Sequence, residues 1–262
     1  MAYKKIKLER DGDVAIITLA DPATLNAITP AMVGEMADAF AVASRDARCA
    51  VLTGEGRAFS SGANLSGGAP PTDETGQIDL GIVLERNYNP FIVKLRDLPI
   101  PLVTAVNGAA AGIGCSFALM GDIIVAGESG YFLQAFRRIG LVPDGGSSYI
   151  LPRMLTRAQA MELMLLGEKL PATKALDWGL VNRCVPDTEL MPAAMAIAHE
   201  LAAGPTRALG MIRRLAWASA DASLEEQLQA ERSAQREAGR SGEFAEGVAA
   251  FLQKRPASFK GT

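Results

Sequence analysis

Two stretches of this chain combine a strand-like run, a glycine bend and a helical pattern. One runs from Thr53 through Leu65 and contains Phe59-Ser60-Ser61-Gly62-Ala63; the other runs from Val103 through Leu119 and contains Ala111-Gly112-Ile113-Gly114. Small residues let a ligand approach the backbone closely, N–H groups at such a bend are free donors, and a helix N-terminus adds a favourable dipole. Two such N–H groups converging on one oxygen would hold an oxyanion or enolate, at roughly 3–4 kcal/mol per donor. The same glycines also suit tight packing of helix on strand, so the residues alone leave both readings open. A dinucleotide site does not fit, because Gly112-Ile113-Gly114 is not GxGxxG, and a GK[ST] phosphate loop is absent. A third stretch, Val142-Pro143-Asp144-Gly145-Gly146, sets a lone carboxylate among apolar residues. By itself Asp144 reads as the cap of a helix beginning near Gly145, or as a base whose pKa is raised by Leu141, Val142 and Phe136.

The rest of the composition narrows the chemistry. Of 262 residues, 49% are apolar and 21% charged, which fits a globular chain with a substantial core. The net charge is -3 and the 26 basic residues are scattered, so no nucleic-acid footprint is expected. Cys49, Cys115 and Cys184 lie far apart in apolar surroundings and read as reduced core thiols. His199 is the single histidine, so neither a histidine triad nor a metal site is expected. The opening MAYKKIKLERDGD lacks a signal-peptide core, and no apolar run approaches ~18 residues; no membrane span and a cytoplasmic location are the expectation.

The elements that must position these residues can be traced along the chain. Strands are expected over 3–8 and 14–19, around Asp11-Gly12-Asp13. Thr29-Pro30 opens a helix running to about Ser44, with Met32, Met36, Phe40 and Val42 on or near its apolar side. A strand from Ala50 to Thr53 precedes the first glycine bend, and residues 66–77 read as an exposed, mobile loop before a helix over 79–96. Strands at LVTAV, DIIVAG and Tyr131 to Gln134 follow; then helices are expected at about 145–151, 156–166, 171–177, 188–203, 205–218, 221–238 and 242–253. The break at Ala203-Gly204-Pro205 divides a mixed α/β core, 1–203, from a helical region, 204–262.

In this order and spacing, LNAITPAMVGEM, GRAFSSGANL, PLVTAVNGAAAGIGCSFALMGDIIVA, RIGLVPDGGSSYILPRMLT, ALDWGLVNRCVPD and FLQKRPASF resemble the enoyl-CoA hydratase/isomerase (crotonase) family over essentially the whole chain. The resemblance implies an α/β, crotonase-like spiral of strand–strand–helix turns, with a C-terminal helical region used in trimerisation. It also implies a homotrimer or dimer of trimers, and an acyl-CoA substrate with no tightly bound cofactor. The thioester carbonyl would lie between the N–H groups of Ala63 and Ile113. Coenzyme A would lie near Ala63, Asn64, Leu65 and Gly112, with Lys254 or Lys260 reaching its phosphates, sometimes across a subunit boundary.

The pattern breaks where hydratases of the family carry two glutamates: the matching positions are Ser116 and Phe136. Serine cannot by itself activate water and phenylalanine cannot transfer a proton, so isomerase chemistry is expected rather than hydration. Phe136 then walls an acyl pocket or fills core, with Ser116 and Tyr131 as further pocket residues and Tyr149 and Ser148 as weaker polar candidates. With LVPDGG, the chain resembles the branch of ring-opening 1,2-epoxyphenylacetyl-CoA isomerases, which turns the reading of Asp144 from cap toward proton carrier. A dehalogenase would need a histidine base, and His199 falls in the wrong element. Hydratase, hydrolase or lyase activity and a non-catalytic acyl-CoA-binding role remain the alternatives.

Overall fold

The computed structural model describes residues 3–66 and 68–261; Gly67, inside the expected loop over 66–77, lies outside the described residues. The first strands, Ile6–Asp11 (β1) and Val14–Leu19 (β2), form a hairpin in which Asp11 pairs with Val14 and Gly12 turns the chain. Helix Pro30–Asp46 (α1) starts as its sequence dictates: the Thr29 side chain accepts from the Met32 N–H and Pro30 occupies the first turn.

The next strands come in pairs: Cys49–Gly54 (β3) with Ala58–Ser60 (β4), Leu102–Val106 (β5) with Ala109–Ala111 (β6), and Ile123–Gly127 (β7) with Tyr131–Leu133 (β8). In each pair the first strand enters a six-stranded sheet, β1-β2-β3-β5-β7-β10, closed by Arg183–Val185 (β10). The second strand enters a four-stranded sheet, β4-β6-β8-β9, closed by Leu170–Pro171 (β9). The ladders from β2 to β10 and from β4 to β8 are parallel. This is the expected spiral of strand–strand–helix turns.

The largely apolar runs of β3 and β5, each with one buried threonine, follow from burial on both faces. Cys49, Val51, Val103, Ala105 and Val125 pack against Leu190, Ala194, Ala198 and Ala202 of helix Leu190–Ala203 (α8), while Ala50, Leu52 and Leu102 join the main core with Phe40, Phe91, Phe117 and Phe132.

The helix expected over 79–96 is in fact three pieces: Gly81–Val83 (α2), a π turn over Leu84–Tyr88, and Asn89–Arg96 (α3). The Asn89 N–H reaches back to the Leu84 carbonyl, one residue further than in an α-helix. Helix Ile113–Ala118 (α4) follows β6; Ser147–Met154 (α5), Arg157–Leu166 (α6) and Ala172–Asp177 (α7) precede β10. The C-terminal helices are Thr206–Ala218 (α9), Leu224–Ala238 (α10) and Gly242–Gln253 (α11). The α10 helix starts later than the expected 221 because Ser223 and Glu226 form a reciprocal capping box. Buried Arg213 of α9 pairs with Asp122 and donates to the carbonyls of Leu95, Arg96 and Leu98, tying α9 to the end of α3.

Candidate active site

The strands β4, β6 and β8 are parallel neighbours, so their C-terminal ends share one edge of the small sheet. Each leads into a bend or residue singled out in the sequence: Gly62-Ala63, Gly112-Ile113 and Phe136. Gly62 has φ +98° and Gly112 has φ +52°, conformations that disfavour any side chain. The two bends touch. A Cβ on Gly62 would sit 3.0 Å from the Ala111 carbonyl oxygen, and one on Gly112 would sit 3.8 Å from the Gly62 Cα and from the Phe136 ring.

Both expected N–H donors are unused, for different reasons. Ile28 bonds to either side of Ala63: its N–H donates to the Gly62 carbonyl and its carbonyl accepts from the Asn64 N–H, at 2.8 and 2.9 Å. Ala63 itself therefore faces away from that bridge. Ile113 is the first residue of α4, and a first-turn N–H has no partner within its helix. Neither N–H donates to another group among the described residues. A carbonyl oxygen accepting from both would gain charge stabilisation as it became an enolate oxygen.

Asp144 lies in the segment leading into α5. It does not cap that helix: α5 begins at Ser147, Gly146 is its N-cap residue, and no side chain caps it. The Oδ1 atom of Asp144 is sealed from solvent with no hydrogen-bond partner, and burial pushes the carboxyl up to about 6. The apolar surround differs from that expected. Val142 is 79% exposed and Leu141 is exposed too, so they do not enclose the carboxylate. The neighbouring glycines instead pack on Ile113 and Ser116, through Gly145, and on Ile92 and Ile150, through Gly146.

Ser116 is fully buried and its hydroxyl donates to the Asp144 carbonyl at 2.9 Å. A hydroxyl has one proton, so at the 2.6 Å contact between the two serines it is Ser147 that donates to Ser116. The Gln134 amide nitrogen in turn donates to Ser147 at 3.2 Å. This chain, Gln134 to Ser147 to Ser116 to the Asp144 carbonyl, carries no motif, and neither Gln134 nor Ser147 was expected from the sequence. Ser116 thus stands behind the Asp144 segment rather than facing open space.

A family model described as Enoyl-CoA hydratase/isomerase matches residues 9–262. The chain belongs to the enoyl-CoA hydratase/isomerase family. It is 43% identical over 251 residues to the 1,2-epoxyphenylacetyl-CoA isomerase of Escherichia coli K12, covering 95% of each chain. It is 41% identical over 261 residues to a protein of Rhodobacter capsulatus named a probable enoyl-CoA hydratase, covering 100% of each. Among solved structures, an enoyl-CoA hydratase subunit of Geobacillus kaustophilus superposes with a TM-score of 0.90 at 33% identity, over 99% of both chains. As a member of this enoyl-CoA hydratase/isomerase family, the protein is an enzyme of acyl-CoA thioesters.

For an acyl-CoA enzyme the remaining candidates are unevenly placed. Phe136 is buried against Gly112. Asn64 accepts from the Ser66 N–H, and Leu65 is 70% exposed beside it. Tyr131 is not brought to the site: it pairs with Ala109, at the far end of β6 from Gly112, and its ring lies under Lys169. Tyr149 donates to Asp221 at 2.9 Å, and Ser148 is exposed. Lys260 lies in a cleft with Asp13, Arg48 and Arg214, at the start of β3 and so at the opposite end of that strand from the glycine bends. Lys254 ends α11 in a left-handed conformation, exposed. His199 contacts Asp11 at the surface, and burial pushes the Cys49 and Cys115 thiols up to about 12. Among the described residues no three metal-binding side chains cluster. A cleft of about 710 Å³ between α9 and α10 is lined by none of Ala63, Ile113, Phe136 and Asp144.

Proposed function

We propose that this enzyme is an acyl-CoA isomerase that shifts a double bond, or opens an epoxide, through a thioester enolate. For a 3-enoyl thioester, the Asp144 carboxylate takes a proton from the α-carbon. The electron pair delocalises into the carbonyl oxygen, which the Ala63 and Ile113 N–H groups hold, and Asp144 returns the proton at the γ-carbon. The observation that carries this reading is the Asp144 carboxylate itself: uncapped, partnerless at Oδ1, and with a pKa near 6, where a base works at neutral pH.

Hydration is disfavoured by the residues at the two matching glutamate positions. Phe136 supplies no proton. The Ser116 Cβ lies 2.8 Å from where a Gly145 side chain would begin, so a longer residue at 116 has no space toward that segment. The Rhodobacter capsulatus relative, named a probable enoyl-CoA hydratase, favours the second reading, a hydratase. The deciding experiment compares double-bond migration in short 3-enoyl-CoA substrates with hydration of crotonyl-CoA, for wild type and Asp144→Asn. Migration that Asp144→Asn abolishes supports the isomerase; efficient hydration that Asp144→Asn leaves intact rejects it.

We propose further that the chain works as a homotrimer or dimer of trimers. Helix α11 leaves Phe244, Phe251 and Leu252 exposed, an apolar surface suited to a neighbouring copy. In such an assembly Lys254 and Lys260 would serve the coenzyme A of another subunit, a reading that the place of Lys260 at the opposite end of β3 from the bends supports.

A further inference from the structure

Leu25-Asn26-Ala27, which opens the LNAITPAMVGEM motif, runs alongside the first glycine bend. Leu25 and Asn26 both hold φ +56°, a left-handed conformation that strains a residue with a side chain and persists only where surrounding bonds impose it. Those bonds are present. The Leu25 carbonyl accepts from the Ser61 N–H at 2.9 Å, and Ile28 brackets Ala63 as described above. Asn26 is fully buried with its amide nitrogen and oxygen both bonded. The nitrogen donates to the Glu55 and Ala58 carbonyls at 3.0 and 2.8 Å, and Oδ1 accepts from the Asp21 N–H at 2.9 Å.

Ser60, the last residue of β4, is fully buried between this strap and both bends. Its hydroxyl donates to the Asn26 carbonyl at 2.8 Å and accepts from the Gly62 N–H at 3.2 Å. With the Gly62 N–H taken by Ser60 and the Asn64 N–H taken by Ile28, Ala63 keeps the uncommitted N–H of the bend. The Ser60 side chain also meets the second bend: a Cβ on Gly114, next to Ile113, would sit 2.5 Å from the Ser60 Cβ and 2.6 Å from its Oγ. Helix α4 lies this close because residue 114 has no side chain. One small side chain thus touches the segment of each donor, and the distance between the two N–H groups is set through it.

We propose that Ser60 is a positioning residue of the oxyanion hole: held by Asn26, it fixes the Ala63 and Ile113 N–H groups at the spacing that suits a thioester enolate. The proposal rests on the reading of those two N–H groups given above and deepens it; Ser60 acts through them and touches no reacting atom. A hole set for an enolate oxygen binds the ionised form more tightly than the neutral thioester, and an error of spacing removes that preference before it removes binding.

The test reads that preference directly. 3-Oxobutanoyl-CoA ionises at its α-carbon to an enolate with its own near-ultraviolet absorbance, so titrating the bound ligand with pH gives the pKa of the enolate in the site. Wild type should lower it below the value of the free ligand. Ser60→Ala should raise it by about 1 toward that value, a tenfold loss of preference for the enolate, with butanoyl-CoA affinity unchanged within about twofold. Ser61→Ala removes an exposed hydroxyl that donates to the Thr24 carbonyl of the same strap, and should leave the pKa where it is. Thermal unfolding confirms that the variants are folded; were Ser60→Ala not, Ser60→Cys, which keeps a γ atom but is only a weak donor and acceptor, takes its place with the same expectation. A pKa equal in wild type and the Ser60 variant, an equal rise in Ser61→Ala, or an equal loss of affinity for both ligands overturns the proposal and leaves Ser60 a packing role. A pKa that wild type does not lower rejects the reading of Ala63 and Ile113 as the hole, and the proposal with it.

Discussion

The Ser116 hydroxyl donates to the backbone carbonyl of Asp144, 28 positions away, and this bond ties helix α4 to the segment carrying the carboxylate. The helix that presents the Ile113 N–H thereby also holds the proposed base, so donor and base are referenced to one rigid element. Ser116→Ala removes the hydroxyl but not the carboxylate. We expect kcat for double-bond migration to fall about tenfold with KM nearly unchanged, and stability to fall by about 1–3 kcal/mol, since Ser147 loses its acceptor inside the core. Steady-state kinetics and chemical denaturation measure the two effects. Ser116→Glu should not restore hydration, because Gly145 and Ile113 border the space its side chain would need.

The Asp144 pKa of about 6 sets the pH profile. A base must be ionised to take a proton, so kcat/KM should rise with pH through about 6 and level off above it. This limb belongs to the free enzyme. Were it centred near the ordinary carboxylate value of 3.8 instead, Asp144 would not be the titrating base.

The same shift predicts a gain in stability on losing the base. The native pKa is raised, so the protonated form is favoured by folding; that contribution is fully present below pH 3.8 and is lost as pH rises through about 6. At pH 7 the fold bears the cost of a half-buried carboxylate. Asp144→Asn should therefore be more stable than wild type at pH 7, by about 1–3 kcal/mol, and no more stable below about pH 4. Melting curves at the two pH values decide the point.

Gly112 holds its bend at φ +52° and ψ -128°, and Ile113 follows directly. Gly112→Ala introduces backbone strain of about 1–3 kcal/mol, relieved by moving the bend. A misplaced Ile113 N–H should lower kcat by about 10²–10³. Thioester binding by saturated acyl-CoA should suffer less than turnover, which a comparison of Kd with kcat can check.

Arg213 is buried with Asp122 and three backbone carbonyls as partners. Arg213→Met leaves the Asp122 carboxylate and those carbonyls short of donors, a loss of about 3–5 kcal/mol. Denaturant unfolding should show it. Replacing exposed Arg236 instead should change stability by no more than about 0.5 kcal/mol.

Much of this architecture is written locally. Thr29-Pro30 starts α1 because a hydroxyl and a ring that lacks an N–H suit a helix start wherever they occur. Gly62 and Gly112 mark the two bends because few other residues accept their backbone angles. The largely apolar runs of β3 and β5 announce central parallel strands. The order of these motifs was enough to specify the spiral and to single out Ala63, Ile113 and Asp144. What surrounds Asp144 was decided only by tertiary packing. Sequence neighbours Leu141 and Val142 turn outward, while Ile92, Ile113 and Ile150, from three different helices, come in beside the adjoining glycines. The same holds for Ser116, whose partners depend on α4 meeting the start of α5. Backbone angles and caps are properties of a few adjacent residues, so they can be read in order along the chain. Desolvation and the pairing of buried polar groups depend on which distant residues arrive at one place, and the folded chain alone determines that.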